Sequence, residues 1–171
     1  MLSSLLCETV NGGASLGFHA PLTAFEAQTY WLSLATELQQ GTRLLLAAYT
    51  GQGPAGAAQL VLPASPSGRH RAEIQKLFVA RELRGHGVGR ALLSALHLAA
   101  RRSRRTLLIL NTRRGDSAEA FYRQLGYREV GVIPGWTIGP RGERYDHVTL
   151  YHELGRPSRP FAASDAALST I

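Results

Sequence analysis

A chain of 171 residues, 44% of them hydrophobic, is long enough to close one core and short for two. Its formal charge of +7 comes almost wholly from arginine, Lys76 being the only lysine, and that balance suits anionic ligands such as a phosphorylated cofactor. The single Cys7 excludes an internal disulfide and fits a reducing compartment. The amino terminus MLSSLLCETV has neither the basic start nor the apolar length of a secretion signal, and no apolar run nears the ~20 residues of a membrane span. A cytoplasmic setting without a membrane partner is the expectation.

In chain order, residues 2–9 read as the last turns of a helix, stopped by Asn11, Gly12 and Gly13. Residues 21–40 predict a second helix. Thr23 caps it, Glu26 completes a capping box, and Phe25, Tyr30, Leu34 and Leu38 form its apolar stripe. Residues 43–50 and 55–62 predict an antiparallel hairpin around the turn GQGP, and 71–80 a third strand. A helix over 87–102, with Val88, Leu92, Ala95, Leu96 and Ala99 on one face, ends in Arg101, Arg102, Arg104 and Arg105, which complement the negative end of its dipole. No aromatic residues interleave with those arginines, so no nucleic-acid partner is expected.

The apolar run at 106–111 predicts a strand buried on both faces and parallel to the one before the helix. Asp116 or Ser117 caps a further helix through Leu125, stopped by Gly126. Closing strands follow at 127–133 and 145–151, joined by a loop that carries Pro134, Gly135 and Trp136. From Gly155 onward the periodicity vanishes, so one domain over 1–154 with a mobile tail over 155–171 is expected.

The segment from Gln75 to Leu93 passes from apolar strand through an Arg/Gly loop into a helix. Free N–H groups and the positive dipole end converge there, a device for holding phosphate. Arg84, Gly85, His86, Gly87, Val88 and Gly89 fit Arg-x-x-Gly-x-Gly. A dinucleotide fold would instead want Gly-x-Gly-x-x-Gly and an acidic strand end, whereas the next strand ends at Asn111.

With the strand QKLFVA, the loop RGHGVG, the strand LLILN and the helix with its exit AEAFYRQLGYREVG, the chain resembles the GNAT acyltransferase superfamily over about residues 8–154. The stretches ETVNGGASLGF, RAEIQKLFV, AEAFY and VIPGW are more narrowly similar to the tabtoxin-resistance acetyltransferases, which acetylate the amino group of a β-lactam toxin. The resemblance implies an α/β domain with a mixed, mostly antiparallel sheet flanked by helices. It also implies acetyl-CoA as cofactor and an N-acetyltransferase acting on a small amine, with a protein or peptide amine, or a silent acyl-CoA-binding module, as alternatives.

By the same resemblance, strands 71–80 and 106–112 splay at their ends, and the pantetheine arm runs along Leu77, Phe78 and Val79. The N–H groups from Arg84 to Arg90 hold the pyrophosphate, with charge from Arg84 and Arg90. A backbone N–H at Phe78 or Val79 polarises the thioester carbonyl. Tyr122 stands where the family has the phenol near the sulfur, and Glu73 is the implied base. The narrower relatives have Asp where this chain has Asn111, which accepts no proton, so water-mediated deprotonation through Glu73 or a role for His147 replaces it. The superfamily's usual Asn pantetheine contact is replaced by Gly115. No histidine shows metal-ligand spacing. The strand that usually precedes the first helix is absent from the reading, and an uncovered edge invites pairing, so a homodimer is an expectation.

Overall fold

The computed structural model describes residues 1–155; the residues expected to form the tail lie, from 156 on, outside them. Three helices come first: α1 (Leu2–Asn11), α2 (Ala24–Ser33) and α3 (Ala35–Gln39). Strands β1 (Arg43–Thr50), β2 (Gly53–Val61) and β3 (Arg71–Val79) lead into α4 (Val88–Arg102). Then follow β4 (Leu107–Arg113), α5 (Ser117–Gln124), β5 (Arg128–Ile138) and β6 (Arg144–Glu153). The six strands form one sheet in the order β1-β2-β3-β4-β6-β5. Every pairing is antiparallel except β3 with β4. The expected mixed sheet is present, and no strand precedes α1 among the described residues, so β1 is an edge.

The capping box opens α2: Thr23 Oγ1 accepts from Glu26 N at 3.2 Å and Glu26 Oε2 accepts from Thr23 N at 2.9 Å. One continuous helix to residue 40 is not what forms. Ser33 Oγ donates to the Tyr30 carbonyl at 2.7 Å, competing with the helical ladder, and the chain breaks at Leu34 before α3. Phe25, expected in the apolar stripe, is 78% exposed. Five residues separate it from Tyr30, which turns the two side chains well apart on a helix of 3.6 residues per turn.

Side chains fill two cores, one on each sheet face. On one face α4 buries Leu92, Leu93, Leu96 and Ala100 against Leu60, Ile74, Leu108, Leu110, Val148 and Leu150. Each such fully buried leucine contributes roughly 1.5–3 kcal/mol. Ala95, expected on that face, points outward. On the other face α1 and α2 bring Leu5, Leu6, Val10 and Ala27 onto Ala57 and Phe78. No helix among the described residues is long and apolar enough to cross a membrane.

The closing hairpin differs from expectation. Pro134, Gly135 and Trp136 lie inside β5, not in a loop, at an irregularity between Ile133 and Thr137. Because β5 is the far edge of the sheet, a proline there forfeits no ladder bond, and the bulge absorbs the misfit.

Under this hairpin His97 Nε2 meets the Tyr127 hydroxyl at 2.8 Å, and the imidazole stacks on His152 at 5.0 Å. Burial, then the neighbouring His152 and Arg101, push the His97 pKa down to about 4. The folded protein therefore holds His97 neutral while the unfolded chain protonates at about 6.5. Its contribution to stability is complete above that pH and is lost as pH falls toward about 4. Half-exposure limits the effect to about 1–2 kcal/mol. Thermal melts at pH 7 and pH 5 should show a larger loss for wild type than for His97→Gln; equal losses would clear His97.

Candidate active site

The parallel pair β3 and β4 is joined only at Arg71 with Leu107, Ala72 with Leu108 and Glu73 with Ile109. Beyond Glu73 the strands part, leaving the inner edge of β3 to Val79 and of β4 toward Asn111 without each other. Glu73 sits at the apex of this opening. The loop from Arg84 closes its far end. Gly85 and Gly87 have φ of 79° and 85°, left-handed values that glycine adopts freely, and Gly87 caps α4. The first backbone bond of α4 runs from Ala91 N to Gly87 O at 2.9 Å, so the N–H groups of Val88, Gly89 and Arg90 have no backbone acceptor. A Cβ on Gly89 would fill the gap between Phe121 and Val79, at 3.5 and 3.6 Å. His86 Nδ1 lies 2.9 Å from the Arg84 carbonyl.

Strand alternation decides which backbone faces the opening. Ala80 N donates to Ala55 O at 2.8 Å, and a Cβ on Gly56 would meet Phe78 O at 2.6 Å. Both residues are therefore turned toward β2, and Val79 between them turns its N–H and carbonyl to the opening, where Arg84 Nε donates to Val79 O at 3.3 Å. Leu77 packs toward the α4 core while Phe78 is buried in the other.

A bulge precedes them. Phe78 faces Ala57 and Gln75 faces Gln59, so Lys76 and Leu77 share Ala58, and Lys76 takes φ 49°. The Lys76 ammonium bonds the Leu16 carbonyl and lies 5.0 Å from the Phe18 ring and 5.7 Å from Tyr30. Burial, then the Arg43 charge, lower its pKa. This lysine ties the segment between α1 and α2 to the bulge.

The sheet face beyond α1 and α2 carries Glu73, Asn111, Arg113, His147 and Thr149. Glu73 Oε1 accepts from Gln75 Nε2 at 3.0 Å; Gln75 and Gln59 accept from Arg43 at 3.0 and 2.7 Å; Gln59 donates to the Tyr30 hydroxyl at 2.8 Å. Arg43 also pairs with Glu37 at 2.8 Å. This half-buried relay holds Glu73 at the last paired position before the strands part. Asn111 Oδ1 accepts from the Thr149 hydroxyl at 2.6 Å, which leaves its amide N–H groups to the open face. Burial, then the Arg113 charge, lowers the His147 pKa. Trp136 is 52% exposed, its ring 6.2 Å from His147.

On α5, Phe121 borders the gap beside Gly89 and Val79, while Tyr122 is 6% exposed and packs on Tyr127 at 5.4 Å. Burial raises the Tyr122 pKa, and its hydroxyl bonds no other described residue. Asp116 takes the N-cap position of α5 but makes no side-chain cap bond; Glu119 reaches back out of the helix to accept from Gly115 N at 2.7 Å. No group of residues able to hold a metal occurs among the described residues. Sequence reasoning missed Lys76, Arg43, Gln59 and Arg113. Gln59, alone among apolar neighbours in GAAQLV and fully buried, was a readable signal; Arg113 lay past the expected strand end.

Residues 41–129, more than half of the chain, match the acetyltransferase (GNAT) domain family. An uncharacterized N-acetyltransferase of Methanocaldococcus jannaschii is 38% identical over 69 residues, which span 40% of this chain and only 30% of that protein. The fold superposes on a ribosomal-protein-alanine N-acetyltransferase from Brucella melitensis with a TM-score of 0.74, at 23% identity, covering 89% of this chain and 91% of that one. It also superposes on the Salmonella typhimurium protein yncA, solved with its cofactor acetyl-CoA, with a TM-score of 0.73 at 18% identity, covering 94% and 91%.

Proposed function

This chain belongs to the GNAT acetyltransferase family, and on that premise we propose that it is an N-acetyltransferase that moves the acetyl group of acetyl-CoA to the amine of a small molecule. The observation that carries the reading is the parting of β3 from β4 beyond Glu73, closed at its far end by the unbonded N-terminus of α4. An amino-acid-like amine or a β-lactam toxin is the narrower expectation for the acceptor.

The residues fit the cofactor. The N–H groups of Val88, Gly89 and Arg90, with the freedom of Gly85 and Gly87, make an anion cradle, and His86, Arg84 and Arg90 surround it. Leu77, Phe78 and Val79 offer the strand edge for the pantetheine arm. Bound there, acetyl-CoA supplies an activated acyl group whose carbon–sulfur bond breaks as the carbon–nitrogen bond forms. The Val79 N–H is the donor for the carbonyl oxygen, since Phe78 is committed to β2. Glu73, through water, takes the proton that the amine must lose. Tyr122 donates to the departing sulfur. Its burial-raised pKa stands above that of an ordinary thiol, ~8.5, so hydrogen bonding rather than full proton transfer is its contribution. Asn111 orients the acceptor through its amide N–H groups.

Release of free thiol from acetyl-CoA, followed across amines, amino acids and short peptides with free amino termini, tests the activity; cofactor binding without turnover on any of them would overturn it. Glu73→Gln should lower turnover at neutral pH by about 10- to 100-fold. The deficit should narrow as pH rises toward the acceptor's own pKa, about 8–10 for an amine, because the free base then needs no assistance. A deficit constant with pH would remove Glu73 as the base.

A further inference from the structure

Arg113 ends β4 on the same sheet face as Glu73 and Asn111, with His147 opposite it in the pairing to β6. Its guanidinium lies over the Tyr145 ring, 3.9 Å from the centroid, with a quarter of the side chain exposed. Yet it makes no hydrogen bond to any described residue. Asp116 Oδ2 stands 4.0 Å from Nε, too far to accept, and the buried Nε has no partner. The contrast within the molecule is sharp: Arg43 is shared among Glu37, Gln59 and Gln75, and Arg123 between Glu119 and Glu129. Next to Arg113, His147 Nδ1 is also buried without a partner, while Nε2 faces the Thr137 hydroxyl at 3.3 Å.

A guanidinium held flat by stacking, with its donors unspent, matches a planar anion in geometry as well as charge. Two residues of strand separate Arg113 from Asn111, about 7 Å, a distance one small molecule can span. We infer that the acceptor carries a carboxylate that seats on Arg113, so that the substrates are amino carboxylates whose amine lies toward Asn111 and Glu73. This deepens the acetyltransferase reading and rests on it for the location of the acceptor. Arg113 is then the specificity residue of the site.

The test is calorimetric binding to the full chain saturated with coenzyme A. The probes are N-acetylglycine, N-acetylalanine and N-acetylphenylalanine, each against its primary amide. At least one acid should bind tenfold or more tightly than its amide. Arg113→Met should reduce that acid to the affinity of the amide while leaving amide and coenzyme A binding unchanged, and Arg113→Lys, which keeps the charge without the planar fork, should restore only part of the preference. Equal binding of acids and amides, no binding of either, or a Met variant that weakens both alike overturns the inference. The wild-type comparison stands without any variant. Acid-selective binding in a protein that acetylates no amine supports the carboxylate site and overturns the acetyltransferase reading instead.

Discussion

Gly87→Glu should weaken acetyl-CoA binding at least 100-fold, roughly 3 kcal/mol, with the protein still folded. Gly87 caps α4 at φ 85°, and a Cβ built there meets nothing within 4 Å. The fold therefore loses little beyond the local cost of a left-handed side chain, about 1–2 kcal/mol, part of which a carboxylate near a helix N-terminus recovers. For the ligand the same carboxylate is a like charge set where the cradle's N–H groups converge. Gly87→Ala separates the two contributions, since it adds the strain without the charge, and should cost less than tenfold. Calorimetry with acetyl-CoA reads the binding and thermal melts read the fold. Undiminished binding in the Glu variant would remove the loop as the phosphate site.

Tyr122→Phe should lower turnover about 10- to 100-fold and leave acetyl-CoA affinity unchanged, the pattern of a contact made only as the carbon–sulfur bond breaks. The alternative role of Tyr122 is packing, and stability distinguishes the two. Its ring is 6% exposed and lies against Phe121 and Tyr127, contacts that phenylalanine keeps. Deleting a hydroxyl that bonds no described residue should leave the melting temperature unchanged or slightly raised. A drop in turnover without a drop in stability assigns the hydroxyl to the reaction; unchanged turnover leaves Tyr122 a core residue.

Local signals in the chain were sufficient for most elements. The Thr23 and Glu26 box, the glycines at 85, 87 and 126, and the apolar run at 106–111 each act over a few residues, so spacing alone predicts a cap, a turn or a buried strand. The candidate phosphate loop was legible for the same reason, because a strand, a glycine loop and a helix start are contiguous in sequence. Errors arose where a nonlocal partner overruled a local preference. Pro134 and Gly135 read as loop residues, but the edge position of β5 lets them stay in a strand. The helix break after Ser33 differs in kind, since it accompanies a local side-chain bond to the Tyr30 carbonyl that hydrophobic spacing does not register.

The sequence by itself determined the sheet-and-helix alternation and the glycine loop before α4, since periodicity and glycine geometry are properties of short segments, while Glu73 and Tyr122 became candidates through the family resemblance. Only the tertiary structure decided that β3 and β4 part after Glu73, that Val79 rather than Phe78 faces the opening, and that Lys76 sits in a bulge. It alone brought Arg113, His147 and Asn111 onto one face. Those outcomes depend on register, and register is set by which residues of distant strands pair, where a shift of one residue turns every side chain to the opposite face.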